Sequence, residues 1–386
     1  MSYATRTRGR QGLMDPHGLA RPDLVLIITY VAISLLGLLM IYSATAPGLE
    51  ARGLDPTREL KAQAFFVLVG FIVFGIVSTV DLTEVRRFVG PIYIASTLLL
   101  VVVLTALGDS EGVAQRWIDL GPIQFQPSEI SKIAVILMLA SLLARSGVPL
   151  SWRTVARGIL VVAIPSALIF LQPDLGTMLV FAFVLLAVLF VAGMTMRQLG
   201  FLTVATIIGT VGVFQLKLIK SYQIDRLTAF IDPGSHELTL SYNQVQSEIA
   251  IGSGGLVGKG LFEGSQTNLQ FVPVQSSDFI FTAVGEQFGF IGSAIVIGLF
   301  SILLFRLLSI AVAAKDRFSF LVVAGVASMF AFHIFINIGM TIRIMPVTGL
   351  PLPFMSAGGT VFVAMSAALG LAHSVWIRRR SPVGDQ

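Results

Sequence analysis

The chain contains no cysteine and few charged residues. Its 386 residues include only 12% Asp, Glu, Lys and Arg. The absence of cysteine excludes disulfides, thiol nucleophiles, thiolate metal sites and iron–sulfur clusters. The scarcity of charge excludes an ordinary soluble domain, in which about a quarter of the residues are charged. The four histidines are far apart in the sequence, which argues against a histidine-based metal site.

Apolar residues make up 55% of the chain, and the mean hydropathy is +0.86. A membrane helix needs about 20 apolar residues, so this length predicts an all-α, polytopic integral membrane protein with about ten transmembrane helices. The fourth apolar run is short for a crossing, and beginning it one turn earlier would bury Glu129. We expect the spans at about 24–43, 62–80, 88–107, 130–144, 156–171, 176–193, 198–216, 279–305, 318–340 and 357–377.

The distribution of Lys and Arg predicts the orientation. An even number of spans places both termini on one side, and most basic residues fall on that side, which is therefore cytoplasmic by the positive-inside rule. This explains the net charge of +5 without nucleic acid as a partner. We predict a basic cytoplasmic tail at 1–22, one membrane domain at 23–377 and a cytoplasmic C-terminal tail at 378–386. A long extracytoplasmic loop at 217–278 joins the seventh and eighth helices.

Polar residues at the outer ends of the spans are candidates for function. Glu129 and Lys132 follow Pro127 at the start of the fourth span and fall on one helix face. They form either a capped, ion-paired helix start or part of a site. Arg116 is either an interfacial anchor or a ligand of an anion. Asp174, in a tight turn, is needed there for backbone reasons or as a functional carboxylate.

Three further segments carry polar groups. The glycine-rich stretch 243–260 lacks the spacing of a phosphate-binding loop, so Lys259 and its glycines either form an anion nest or a tightly folded re-entrant loop. Asp278 precedes the eighth span, where it is either a helix N-cap or a carboxylate aimed at the outer loop. Arg343 begins a proline-punctuated stretch that cannot be a continuous helix, and its guanidinium could bind phosphate.

Together these segments resemble the SEDS family (shape, elongation, division and sporulation), the polytopic peptidoglycan polymerases that include RodA and FtsW. The resemblance covers about residues 20–380 and is closer to the elongation member, RodA, than to the division member. The motifs that carry it are RWIDLGPIQFQPSEISK, QPDLGT, QSEIAIGSGGLVGKGLFEGSQTNLQFVP, SDFIFTAVGEQFGFIG and PVTGLPLPFMSAGG.

The resemblance implies a glycosyltransferase that polymerises lipid II at the outer face of the bacterial cytoplasmic membrane and releases undecaprenyl pyrophosphate. The family's essential aspartate falls on Asp278, its acidic and basic pair on Glu129 and Lys132, and its turn acid on Asp174. It also implies a class B penicillin-binding protein as transpeptidase partner, and a lipid groove beside the second and third spans. The chain departs from the family at Ser276 and Ser277, where a His-Thr pair is common, and at Ala357, where the family has Tyr.

The chemistry requires a base for the acceptor hydroxyl and positive charge for the leaving pyrophosphate. We assign the base to Asp278 and predict Lys132 and Arg116 as pyrophosphate partners, with Glu129 orienting Lys132. Asp174, Lys259, Arg343 and Ser277 are further candidate substrate contacts. The sequence requires no cofactor, although Mg²⁺ or Mn²⁺ could bridge acid and pyrophosphate.

Three alternatives stay open from the sequence. A flippase or secondary transporter for a lipid-linked precursor would also use charges in the membrane, but it should carry them near mid-bilayer between matched halves. A noncatalytic scaffold for a transpeptidase would tolerate Asn or Gln at these positions. A polymerase acting in division rather than elongation would share the same motifs.

Overall fold

The computed structural model describes residues 22–379 except 106–108, 112–113, 120, 122–123 and 216–241, with no account of the side chains of 109–115 and 207–215. Residues 1–21 and 380–386 of the predicted tails and residues 217–241 of the predicted long loop therefore lie outside the described residues. The helices are α1 Leu24–Ala51, α2 Arg58–Thr79, α3 Leu82–Val103, α4 Pro127–Ala144, α5 Trp152–Leu171, α6 Leu175–Val191, α7 Met196–Gln215, α8 Tyr242–Gly254, α9 Ser265–Asn268, α10 Ile280–Val312, α11 Arg317–Thr341 and α12 Gly359–Arg378.

The predicted polytopic helical fold is confirmed. Each predicted span coincides with a helix, namely α1 to α7 and α10 to α12. Among the described residues, eight helices are long and apolar enough to cross a membrane, and α6 is apolar but has only 17 residues. The fourth span does begin one turn early, at Pro127, and buries Glu129. The chain is an integral membrane protein.

Two features were not predicted. The connection between α3 and α4 contains a small antiparallel sheet of β1 Asp109–Glu111, β2 Ala114–Asp119 and β3 Gln124–Phe125, in the order β1-β2-β3. The long loop between α7 and α10 contains the helices α8 and α9 in its described part. Both elements lie at the end of the bundle at which α4, α6, α10 and α12 begin, which we call the site end.

The bundle has a buried centre and a lipid-facing periphery. Helices α4, α11 and α12 bury most of their residues, whereas α2, α3 and α5 bury fewer than a third of theirs. Helix α11 packs against α4, α6 and α10, while α12 packs along α2. Exposed apolar side chains on the outer helices, such as Leu68 and Ile72, are expected where the surroundings are acyl chains rather than water.

Helix α10 is broken at Gly289, and the glycine-rich segment closes the break. Gly289 has φ +63° and ψ −157°, a conformation that glycine adopts readily. Phe290 N donates to Gly255 O at 2.9 Å, and Lys259 N donates to Glu286 O at 3.0 Å. These bonds satisfy backbone groups that the break frees, as membrane depth requires. Segment 243–260 is therefore a helix followed by a tightly folded loop, one of the two structures considered from the sequence.

Candidate active site

Four helix N-termini converge on one polar cavity of about 290 Å³ at the site end. Helices α4, α6, α10 and α12 each begin there, so their positive dipole ends all face the same volume. Three carboxylates and one guanidinium line it. Within the part of the chain that the structure describes, the lining residues are Arg116, Trp117, Gln126, Glu129, Asp174, Thr177, Val274, Ser277, Asp278, Thr348, Gly349, Leu350, Pro351, Ala357, Gly358 and Val361.

Asp278 lies in the turn before α10 and is partly buried. It is not the N-cap of α10, because that position is held by Phe279. Its Oδ2 lies 3.5 Å from the place that a Cβ would occupy on Gly349, which has φ +75°. Asn337, buried in α11, donates from Nδ2 to Asp278 O and to Leu350 O, both at 2.8 Å. One amide thus fixes the backbone of Asp278 to the proline-rich loop opposite it.

Glu129 and Lys132 form the ion pair that their spacing predicts. Lys132 Nζ lies 2.8 Å from Glu129 Oε1, and the two side chains are only 2% and 4% exposed. Lys132 Nζ also lies 3.3 Å from His333 Nε2, while His333 Nδ1 lies 3.2 Å from Pro351 O. A carbonyl only accepts, so Nδ1 carries the proton and Nε2 accepts from Lys132. Glu129 lines the cavity, and Lys132 stands behind it.

Asp174 and Arg116 meet at the turn between α5 and α6. Asp174 is the N-cap of α6, and its carboxylate accepts from Thr177 N at 3.1 Å and from Thr177 Oγ1 at 2.9 Å. Asp174 therefore has the backbone role considered from the sequence, and it also lines the cavity. Arg116 donates from Nε to Gln172 O at 3.3 Å and from its terminal nitrogen to Pro173 O. This leaves further guanidinium donors for a ligand.

Lys259 and Arg343 do not line this cavity. Lys259 Nζ lies 2.9 Å from Glu286 Oε1, so it neutralises a fully buried carboxylate. Glu286 also accepts from Gln266 N and from Thr267 N, which ties α9 to α10. Arg343 pairs with Glu248 of α8 at 3.0 Å on the surface. The structure thus gives Lys259 and Arg343 ion pairs of their own, and the predicted contacts with substrate stay predictions.

Sequence reasoning missed His333 and Asn337. Both are fully buried and lie one turn apart on α11. A polar residue inside an apolar span is itself a signal of function, and this signal was available at both positions. The two side chains face the same loop, since His333 contacts Pro351 and Asn337 contacts Leu350.

The departures from the family pattern lie at the cavity wall. Ala357 lines the cavity, and its N donates to Ser276 O at 2.8 Å, so the two loops are joined through their backbones. Gly358 N donates to Gln63 Oε1 of α2 at 3.1 Å. The predicted contact residue Ser277 also faces the cavity. Over the described residues, there is no group of three or more His, Asp or Glu that could hold a metal ion by itself.

Comparisons with known proteins agree with this architecture. The FtsW/RodA/SpoVE family, described as a cell cycle protein, matches residues 23–381. Peptidoglycan glycosyltransferase MrdB of Escherichia coli K12 is 36% identical over 316 residues, covering 81% of this chain and 85% of its own. The crystal structure of the Thermus thermophilus rod shape determining protein RodA has a TM-score of 0.68 at 30% identity, covering 94% of this chain and 98% of that one.

A second structural neighbour comes from work on the structural coordination of polymerization and crosslinking by a peptidoglycan synthase complex. It has a TM-score of 0.78 at 30% identity and covers 94% of this chain and 99% of its own. The family match spans nearly the whole chain, and the fold matches what the motifs predicted. The chain therefore belongs to the FtsW/RodA/SpoVE (SEDS) family of membrane-embedded peptidoglycan glycosyltransferases.

Proposed function

We propose that this protein polymerises lipid II into glycan strands at the outer face of the bacterial cytoplasmic membrane and releases undecaprenyl pyrophosphate. The observation that carries the proposal is the convergence of Asp278, Glu129, Asp174 and Arg116 on one cavity at the site end. The cavity lies where a membrane-anchored pyrophosphate and a sugar outside the membrane can meet. Carboxylates and a guanidinium are the groups that such a transfer needs.

Asp278 is the proposed general base. The acceptor sugar hydroxyl gives its proton to the Asp278 carboxylate while its oxygen bonds to the anomeric carbon of the donor. The bond from that carbon to the pyrophosphate breaks, and the electron pair leaves with the pyrophosphate. Asn337 holds the backbone of Asp278 and Gly349 brings the opposite loop within van der Waals reach, so the carboxylate has a defined position.

The leaving pyrophosphate is stabilised by Arg116 and by the helix ends. Arg116 is the basic side chain among the described residues that line the cavity. Its fork of donors suits phosphate oxygens. The N-termini of α4, α6, α10 and α12 add partial positive charge, which favours an anion in the cavity.

Lys132 acts through Glu129 rather than on the substrate. Because Lys132 is 2% exposed and donates to both Glu129 and His333, its ammonium holds the Glu129 carboxylate in place. This reverses the order expected from the sequence, in which Glu129 oriented Lys132. Glu129 then faces the substrate, and Lys132 and His333 are positioning residues.

Placement of the acids favours catalysis over transport. Glu129 lies in the first turn of α4, Asp174 caps α6, and Asp278 immediately precedes the cap of α10. All three sit at helix ends on one side of the bundle. A transporter of the kind considered would hold such groups between matched halves near its middle.

The relatives support a proposed cellular role. Similarity to MrdB and RodA supports a role in elongation and rod shape, and the neighbour from a synthase complex supports a class B penicillin-binding protein as partner. The termini are proposed to be cytoplasmic, which places the site end outside.

A divalent cation, Mg²⁺ or Mn²⁺, is proposed only as a bridge between the cavity acids and substrate pyrophosphate. Removal of divalent cations with EDTA from the polymerisation assay tests it, and unchanged turnover would reject it.

The decisive experiment compares wild type with Asp278→Asn in polymerisation of purified lipid II, alone and with a cognate class B partner. Asp55→Asn is the matched control, because Asp55 is exposed on the α1–α2 turn and its side chain bonds only to Lys61 and Thr57 among the described residues. We expect glycan strands from wild type and from Asp55→Asn, and none from Asp278→Asn at equal folding. Equal polymerisation by Asp278→Asn would reject the base assignment. No polymer from wild type, where a control polymerase works, would favour a flippase or a scaffold.

A further inference from the structure

A second pocket lies at the opposite end of the bundle, between the end of α4 and the start of α5. It has a volume of about 370 Å³. In the described part of the chain, two charged residues line it, Arg145 and Arg157, and no acidic residue does. The complete lining comprises Met138, Ser141, Leu142, Arg145, Ser146, Thr154 and Arg157.

Neither arginine is used to hold the fold together. Arg145 and Arg157 are exposed, and among the described residues neither takes part in a salt bridge. The neighbouring Arg317 is different, since it donates to Ser146 O at 2.5 Å and to Ala192 O at 2.7 Å. Arg317 thereby offsets the negative C-terminal ends of α4 and α6 and leaves the pocket electropositive.

The pocket is polar at its rim and apolar below it. Arg145 lies at the C-cap of α4, while Met138 lies seven residues, or about 10 Å, deeper along the helix axis. On α5, Arg157 is followed by the exposed Leu160 and Ile164, which continue an apolar track in the same direction. Trp152, at the start of α5, is 48% exposed, and exposed tryptophans at helix ends are typical of the membrane–water interface.

We propose that this pocket binds the headgroup of an anionic phospholipid. The phosphate lies between Arg145 and Arg157, with the Ser141 and Thr154 hydroxyls as further donors, and one acyl chain follows the apolar track below. Basic pockets between membrane helices are suited to such headgroups because the guanidinium charge meets phosphate while the chain stays in hydrocarbon. The site is separate from the polar cavity and does not depend on the proposed reaction.

Native mass spectrometry of the purified full chain in neutral detergent tests this. Phosphatidylglycerol and phosphatidylcholine with identical acyl chains are the probes. Arg145→Ala/Arg157→Ala removes the site, and Arg153→Ala is the matched control, since Arg153 is exposed beside the pocket without lining it. At roughly fivefold per arginine, we expect the double variant to bind phosphatidylglycerol about twenty-five-fold more weakly. Wild type and Arg153→Ala should both bind phosphatidylglycerol more tightly than phosphatidylcholine.

Several outcomes would overturn the proposal. Equal binding of the two lipids by wild type would do so. An equal loss of phosphatidylglycerol affinity in Arg153→Ala and in the double variant would also do so, because it would indicate nonspecific attraction to charge. Displacement of the lipid by inorganic phosphate at a similar concentration would assign the pocket to the free ion. If the double variant does not fold, the single variants decide, each with an expected loss of about fivefold. Arg145→Lys/Arg157→Lys should retain the preference.

Discussion

The buried pair of Glu129 and Lys132 allows stability and catalysis to be separated. Lys132→Met would leave the Glu129 carboxylate 4% exposed without its ammonium, and breaking a buried pair costs about 3–5 kcal/mol. Glu129→Gln keeps an oxygen that can accept from Lys132, so its cost should be smaller. The double variant removes both charges. Its loss should therefore be less than the sum of the single losses by about 1–3 kcal/mol.

Unfolding in mixed micelles titrated with SDS measures the stabilities, and lipid II polymerisation measures the activity. The double variant should regain part of the stability that Lys132→Met loses yet remain inactive, because Glu129 faces the cavity. Lys61→Met is the control, since its pair with Asp55 is 70% and 52% exposed and should not matter for stability. The reasoning would be refuted by a loss in Lys132→Met no larger than that in Lys61→Met. If the double variant polymerised lipid II, a role for Glu129 in the reaction would be excluded.

Further expectations concern the residues that hold the site. Asn337→Leu removes the donor of the buried Leu350 carbonyl, at about 1–3 kcal/mol, and of the part-buried Asp278 carbonyl. It should slow polymerisation although the Asp278 side chain is intact, and an unchanged rate would contradict the positioning role of Asn337. Gly289→Ala should destabilise the protein by about 1–3 kcal/mol or prevent folding, because its Cβ would lie 2.4 Å from Gly258 N at positive φ. In the same unfolding measurement, Gly298→Ala on the same helix meets nothing within 4 Å and should be neutral or stabilising by up to about 1 kcal/mol.

At the exposed α1–α2 turn, the hydrogen bonds from Lys61 and Thr57 lower the pKa of the Asp55 carboxyl. A carboxyl whose pKa is lowered in the folded protein stabilises the fold at any pH above the ordinary pKa of an aspartate. This stabilisation is lost as the pH falls through the lowered pKa of the folded state. Because this group is exposed, Asp55→Asn should leave the melting temperature at neutral pH nearly unchanged. A large drop would show that the turn contributes more to the fold than its contacts indicate.

The helices could be predicted because hydropathy is a local property. Each run that was apolar enough to lie in lipid became a helix, although α4 begins at Pro127 and the predicted span began at 130. The i, i+3 spacing of Glu129 and Lys132 likewise predicted their contact, because a helix face is set by its own periodicity. The strands β1 to β3 were not predicted, because the segment between α3 and α4 shows no strong alternation of polar and apolar residues.

The class of protein, the spans and the motif residues could be predicted from the amino-acid sequence alone. Which of those residues contact one another depends on how the helices pack. Lys132 and His333 are 201 positions apart, and their contact exists because α11 packs against α4. The same packing turns Lys132 away from the cavity, while Lys259 and Arg343 are taken up by carboxylates that α8 and α10 bring to them. Such pairings depend on how buried helices fit together, and a local pattern does not contain that information.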